Sequence, residues 1–196
     1  MWERLADTIL PQLAARCAAR KFPLRCWSAG CASGEEPYSL GVLWRKELAA
    51  RFSTVPIEIL ATDIDPLLLA RAASAAYRHS SLRGIPPAWE DVFDTRGELR
   101  VLRSEFRKGI RFLQQDIRQE GPPGPFDLVL CRNLAFTYFD DGLQRRTLAR
   151  MLEVLNPGGA LVIGQKEHLP PGATGVSGWI PELGIYRKKG GGQPCS

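Results

Sequence analysis

CWSAGCASGEEPYSLGVLW, residues 26–44, places small residues and two glycines between a short β-type run and a helical pattern. The run is Leu24–Trp27; the pattern, over Pro37–Arg51, carries Leu40, Leu43, Trp44 and Leu48 on one helical face. A glycine-rich turn between a strand and a helix lets backbone approach a ligand at the strand's carboxyl end. Gly30 and Gly34 admit a second reading, in which they only shape a tight connection.

Further along the chain, Ile57–Thr62, Phe126–Cys131 and Ala160–Gly164 read as strands. Helical patterns lie at Pro66–Ala76, opened by Asp65-Pro66, and at Gly142–Leu155, closed by Asn156-Pro157-Gly158-Gly159. Alternating strand and helix predicts an α/β fold whose mostly parallel sheet is covered on both faces. Tyr77–Gln115 breaks the alternation: Glu98–Arg103 and Gly109–Gln114 alternate apolar and basic residues, which predicts a small antiparallel hairpin inserted before the chain returns to the main sheet. The expected organisation is one domain over residues 1–189, the insertion at about 77–115, and a flexible tail over 190–196.

The 196 residues, 44% hydrophobic and 24% charged, have the composition of a single globular domain. The apolar runs fall far short of the ~20 residues of a membrane span, and the start MWERLADTILPQL has no signal-peptide profile, so the expected location is the cytoplasm. Five cysteines, Cys17, Cys26, Cys31, Cys131 and Cys195, lack paired zinc-site spacing and read as plain thiols with no metal. The net charge of +5 is scattered, its one compact run being Arg187-Lys188-Lys189, read as a solvated tail. No nucleic-acid partner is therefore expected.

Which ligand the turn holds follows from its neighbours. Gly34 is followed by Glu35 and Glu36, not by the Lys-Ser/Thr of a phosphate loop, and the glycines form GxxxG, not the GxGxxG of a dinucleotide site. Two carboxylates suit a ligand bearing a cation, and S-adenosyl-L-methionine carries an ammonium and a sulfonium but no phosphate. Asp63, ending the second strand, suits the two ribose hydroxyls, with a loop cap as its alternative role; Asp65 suits the helix cap. Asp116, after Phe112–Gln115, is placed to accept from the adenine amino group, with Ile117 beside the ring. A glycine turn, a ribose acid and an adenine acid at successive strand ends are the layout of a Rossmann-like class I S-adenosylmethionine-dependent methyltransferase, with S-adenosyl-L-homocysteine as product.

WSAGCASGEEPYSL, TDID, FDLVLCRN and YFD…Q…L…LNPGG resemble, in order and spacing, the motifs of the CheR-type protein-glutamate O-methyltransferases of bacterial chemotaxis, from about Trp2 to Glu167. The resemblance implies cofactor contacts from Ala29, Gly30, Cys31 and Gly34 in the turn and from Glu35 near the methionine part. It further implies Asp63 at the ribose, Ile64 as a further cofactor contact, Asp116 and Ile117 at adenine, and Asn133 with Leu134 beside the methyl-transfer site, Asn133 and Tyr138 being the implied catalytic residues. There are departures. Family members carry a helical N-terminal domain, whereas 23 residues precede the first strand here. Tyr138 sits one residue farther from Asn133 than the family's tyrosine. Asp116 stands for the usual asparagine, GQKE (164–167) for the usual GHSE, and the hairpin lacks the extra glycine-rich turn of some members. Chemoreceptors are accordingly expected to be poor acceptors.

Methyl transfer from a sulfonium to a carboxylate is an in-line displacement that needs positioning and water exclusion, and a glutamate of reference pKa ~4.3 needs no general base. His79 and His168 lie in polar stretches and are read as solvated, and RNLAFTYF has no proline of the kind that marks amide methylation. Tyr138 is either an acceptor-shaping residue or a packed aromatic; Arg132 reads as an ion-pair partner, and Trp27, Trp44 and Phe139 as core. Three functions stand open: O-methylation of a protein or small acidic acceptor, methylation of another acceptor, and a non-catalytic cofactor-binding module. The chain is expected to act as a monomer.

Overall fold

The computed structural model describes residues 1–82 and 85–190; the expected tail, apart from Gly190, lies outside them. An N-terminal helical stretch, Trp2–Arg4, a π turn at Leu5–Ile9 and α1 (Leu10–Arg20), buries Leu5, Ile9, Leu10 and Leu13. Then come β1 (Leu24–Ala29), α2 (Glu35–Leu43) continued by a π turn at Trp44–Leu48, β2 (Ile57–Asp63) and α3 (Pro66–Ser74). The second half supplies β6 (Ile110–Gln114), β7 (Phe126–Cys131), α4 (Ala135–Tyr138), α5 (Asp141–Val154), β8 (Leu155–Ile163), β9 (Val176–Ile180) and β10 (Ile185–Lys188). Between the halves, β3 (Ala76–Arg78), β4 (Phe93–Arg96) and β5 (Leu99–Leu102) form a small sheet of their own.

The main sheet runs β6-β2-β1-β7-β8-β10-β9. Its first five strands are parallel, while β10 runs antiparallel to both β8 and β9. The inner strands are buried on both faces, which is why they read as continuous apolar runs. Leu24, Cys26, Leu128, Leu130, Ala160 and Val162 face the cluster built with α1 and α2. Trp27, Ala29, Val129, Leu161 and Ile163 face the cluster around Leu148 and Met151 of α5. Strand order reverses between β1 and β7, the position where open α/β sheets bind ligands.

Two expectations are corrected. Glu98–Arg103 and Gly109–Gln114 do not pair: β5 pairs with β3 and β4, and β6 joins the main sheet parallel to β2. The alternating pattern of β6 belongs to an edge strand, Arg111 and Leu113 being exposed, and an edge strand alternates as a hairpin does. Gly109 makes the pairing possible, since at φ +76° it passes so close to β2 that a Cβ would stand 2.6 Å from the Ile57 carbonyl oxygen. Arg187-Lys188 is likewise no tail. It lies in β10, where Lys188 donates through Nζ to the Leu152 and Leu155 carbonyls that end α5.

Candidate functional site

The glycine turn is fixed by the strand beside it. The amides of Gly30 and Cys31 both donate to the Thr62 carbonyl, at 2.8 and 3.0 Å. Asp63, the last residue of β2, accepts from the Ala32 amide through Oδ2 at 2.8 Å and from the Asp65 amide through Oδ1 at 3.0 Å. Asp65 caps α3, accepting from Leu67 at 2.8 Å. Each Asp63 oxygen has thus used one of its two lone-pair positions, leaving one on each for a further donor.

The two glycines of the turn have different reasons. Gly34 lies against α3, where a Cβ would meet the Ala72 Cβ at 2.9 Å, so its role is packing. Gly30 lies against the ligand side: at φ +74° a Cβ would stand 2.4 Å from Leu134 Cδ2. Gly30→Ala is expected to cost about 1–2 kcal/mol of backbone strain and to press Leu134 into the cavity beside it. Gly172, also at φ +74° but with nothing within 4 Å of its added Cβ, is the control. Thermal melts should fall for both alanine variants, and only the Gly30 variant should lose ligand affinity.

A cavity of about 210 Å³ opens here, with Gly30, Thr62, Asp63 and Asp116 in its wall. Its apolar surfaces come from Ile64, Ile117, Leu134 and Phe139, and Gln115 and Arg118 complete it. Phe139, read from the sequence as core, is a cavity wall; it packs on the α5-side cluster with one edge and faces the cavity with another. Two carboxylates, apolar walls for a flat ring and two open acceptor positions on Asp63 fit an adenosyl group.

Other predicted residues lie apart from this cavity. Glu35 accepts from the Ser33 hydroxyl at 2.9 Å and lines a second, mainly apolar cavity of about 220 Å³ with Tyr38, Tyr77 and Trp89. Glu36, one of the two carboxylates matched to a cationic ligand, turns inward instead. It accepts from Ser28 at 2.8 Å and from Arg132 at 3.2 Å, so Arg132 is indeed an ion-pair partner. Burial raises the Glu36 carboxyl above its ordinary range, and Arg132 offsets part of that. Cys31 is buried in the turn, and burial with the neighbouring Asp63 and Glu36 charges pushes its thiol up to about 12, so it is an inert packing group. Ala29 is buried at the end of β1. Tyr138 is 75% exposed and stands outside the cavity wall, whereas the next residue, Phe139, lines it.

Asn133 reaches the site through its backbone. It adopts a left-handed conformation, φ +54°, unusual outside glycine, and presents Leu134 to the cavity. Glu167, only 6% exposed, holds this bend. Its Oε2 accepts from the amides of Asn133 at 2.9 Å and Gly164 at 2.6 Å, and its Oε1 from the Thr137 hydroxyl at 2.5 Å. In the sequence Glu167 is the end of GQKE, and its signal is a lone acid following an apolar strand and a glycine.

The sheet order, with a cavity at its switch point, is that of the class I methyltransferase fold. Among the described residues no group of three or more metal-ligating side chains is present, and no helix is long and apolar enough to cross a membrane. Residues 1–180 match the family described as CheR methyltransferase, SAM binding domain, and the chain belongs to that family. S-adenosylmethionine is therefore the cofactor of the domain. Over 169 residues the chain is 31% identical to a chemotaxis protein methyltransferase of Listeria innocua, covering 86% of this chain and 62% of that protein. It is 34% identical over 167 residues to the chemotaxis protein methyltransferase of Escherichia coli, covering 81% and 57%. With a probable chemotaxis protein methyltransferase of Rhizobium etli the identity is 33% over 202 residues, covering 98% and 73%. The chain thus spans somewhat more than half to about three quarters of the length of these relatives.

Proposed function

We propose that this chain transfers a methyl group from S-adenosylmethionine to a carboxylate oxygen of a protein acceptor, a glutamate side chain. The observation that carries the reading is the meeting of Gly30, Asp63 and the Asn133–Leu134 bend at one cavity, in a domain of a family whose relatives are named as chemotaxis methyltransferases.

The cofactor supplies an electrophilic methyl on a sulfonium. Asp63 would accept from the two ribose hydroxyls with its open lone pairs, Ile117 would pack beside the base, and Ile64 and Leu134 supply further apolar wall that excludes water. The left-handed backbone of Asn133, held through its amide by Glu167, sets Leu134 in the cavity wall, and the exposed Tyr138 is available to an acceptor arriving from solvent. An acceptor glutamate is ionised at neutral pH, so these residues position and desolvate it and no protein base is needed. The domain acts as a cytoplasmic monomer in this reading.

The test is transfer of radiolabelled methyl groups from S-adenosylmethionine into acidic proteins, followed by mild alkali. Label released as methanol is the expected result. Stable label would mean N-methylation, and label in small molecules only would move the acceptor out of the protein class.

A further inference from the structure

The two carboxylates of the cavity are in different states. Asp63 has room for further donors, whereas Asp116 is filled. Its Oδ1 accepts from the Arg118 amide at 2.9 Å and from Arg118 Nε at 2.8 Å. Its Oδ2 accepts from Arg118 Nη2 at 2.9 Å, from Gln119 Nε2 at 3.1 Å and from the shared Nε proton at 3.1 Å. Four N–H groups therefore occupy the roughly four lone-pair positions of one carboxylate. The Arg118 fork also holds the Asp116 carboxyl below its ordinary range. The guanidinium belongs to the cavity wall, and the Arg118 side chain is 50% exposed against 14% for Asp116, so the arginine has space to swing outward and the acid does not.

We propose that Arg118 sets cofactor affinity and base selectivity at the adenine end, by covering the acceptor that a 6-amino group must reach. The inference rests on the cofactor reading above. An adenine amino group is a donor and needs a lone pair on Asp116; while Arg118 is docked, none is open. At position 6 an oxo purine presents an acceptor, so its O6 meets a docked Arg118 favourably and a bare carboxylate unfavourably. The arm therefore blunts the discrimination that Asp116 alone would exert. Because the ion pair is half-exposed, its hold is modest and weakens with salt.

Calorimetry on the full chain, with S-adenosylhomocysteine and its 6-oxo counterpart S-inosylhomocysteine, tests this. Arg118→Ala is expected to bind S-adenosylhomocysteine roughly two- to fivefold more tightly, the size of one half-exposed ion pair, and to widen the preference for the amino over the oxo ligand. Asp116→Asn, which keeps an oxygen and releases the arginine, should give a similar gain for the amino ligand, and adding Arg118→Ala to it should give nothing more. High salt should narrow the gap between wild type and Arg118→Ala. An unchanged amino-to-oxo ratio in Arg118→Ala, with both proteins binding S-adenosylhomocysteine, overturns the role of Arg118 and leaves the cofactor reading standing. Absence of S-adenosylhomocysteine binding in every protein, with normal melts, overturns both.

Discussion

Asp63→Ala should lower affinity for S-adenosylhomocysteine by tens- to thousands-fold. Hydrogen bonds to a charged acceptor contribute about 1.5–3 kcal/mol each, and two ribose hydroxyls are expected to share this carboxylate. A second effect adds to the loss, because the same oxygens hold the Ala32 and Asp65 amides and so keep the glycine turn on the end of β2. Asp63→Asn separates the two contributions. Its single carbonyl oxygen keeps one of the loop bonds and one hydroxyl contact, so it should fall between wild type and the alanine variant. Calorimetry alongside a thermal melt reads both. Unchanged affinity in Asp63→Ala would remove the ribose from this residue and leave it a turn clamp.

The other large effect is expected at Glu167, which touches no predicted ligand. Replacing it by alanine leaves the buried Gly164 amide without its acceptor and removes the part-buried bonds from the Asn133 amide and the Thr137 hydroxyl. A buried donor without a partner costs about 1–3 kcal/mol and each part-buried bond about 0.5–1.5 kcal/mol, so with some relaxation a total of about 2–5 kcal/mol is expected. For a chain of this length that is a fall of roughly 5–15 °C in Tm. Methyl transfer should fall further than stability explains, since the left-handed Asn133 bend has no other anchor of this kind, and a misplacement of ~1 Å costs about 100-fold in rate. Glu167→Gln is the informative partner. Both amides bind the same oxygen, Oε2, and an amide carbonyl can stand there, while the Thr137 hydroxyl turns to accept from the new NH₂. The glutamine variant should therefore keep most of the stability and much of the activity. Equal losses in the alanine and glutamine variants would show that the charge, not the hydrogen-bond geometry, holds the bend.

Much of this molecule follows from local sequence. The apolar runs of β1, β2, β7 and β8 sit on both faces of one sheet, a placement that requires nearly every residue to be apolar and so leaves a plain signature. Asp65-Pro66 opens α3 as its chemistry dictates, with the carboxylate on the first free amides and proline where no amide is needed. Gly30, Asp63 and Asp116 are legible as neighbours in one cavity wall because strand ends in a parallel sheet converge on one edge, so order along the chain becomes proximity in space.

Tertiary structure decided what rests on pairing between distant segments. An alternating pattern states that one face is wet, not which strand lies beside it, so β6 at the sheet edge and β5 in the small sheet looked like two arms of one hairpin. The basic run at Arg187 carries the pattern of a tail, and only the Leu152 and Leu155 carbonyls ending α5 make Lys188 part of the fold. Charge has the same ambiguity. Read from the sequence, Glu35 and Glu36 suit a cationic ligand, Asp116 suits an adenine amino group, and Glu167 has no role. Which of them a ligand can reach depends on which protein donors arrive first: Ser33 at Glu35, Ser28 and Arg132 at Glu36, Arg118 at Asp116, and the Asn133 and Gly164 amides at Glu167. Of these four and Asp63, only Asp63 and Asp116 line the cavity, and of those two Asp63 keeps a lone pair open on each oxygen, because its partners are two backbone amides that each take only one.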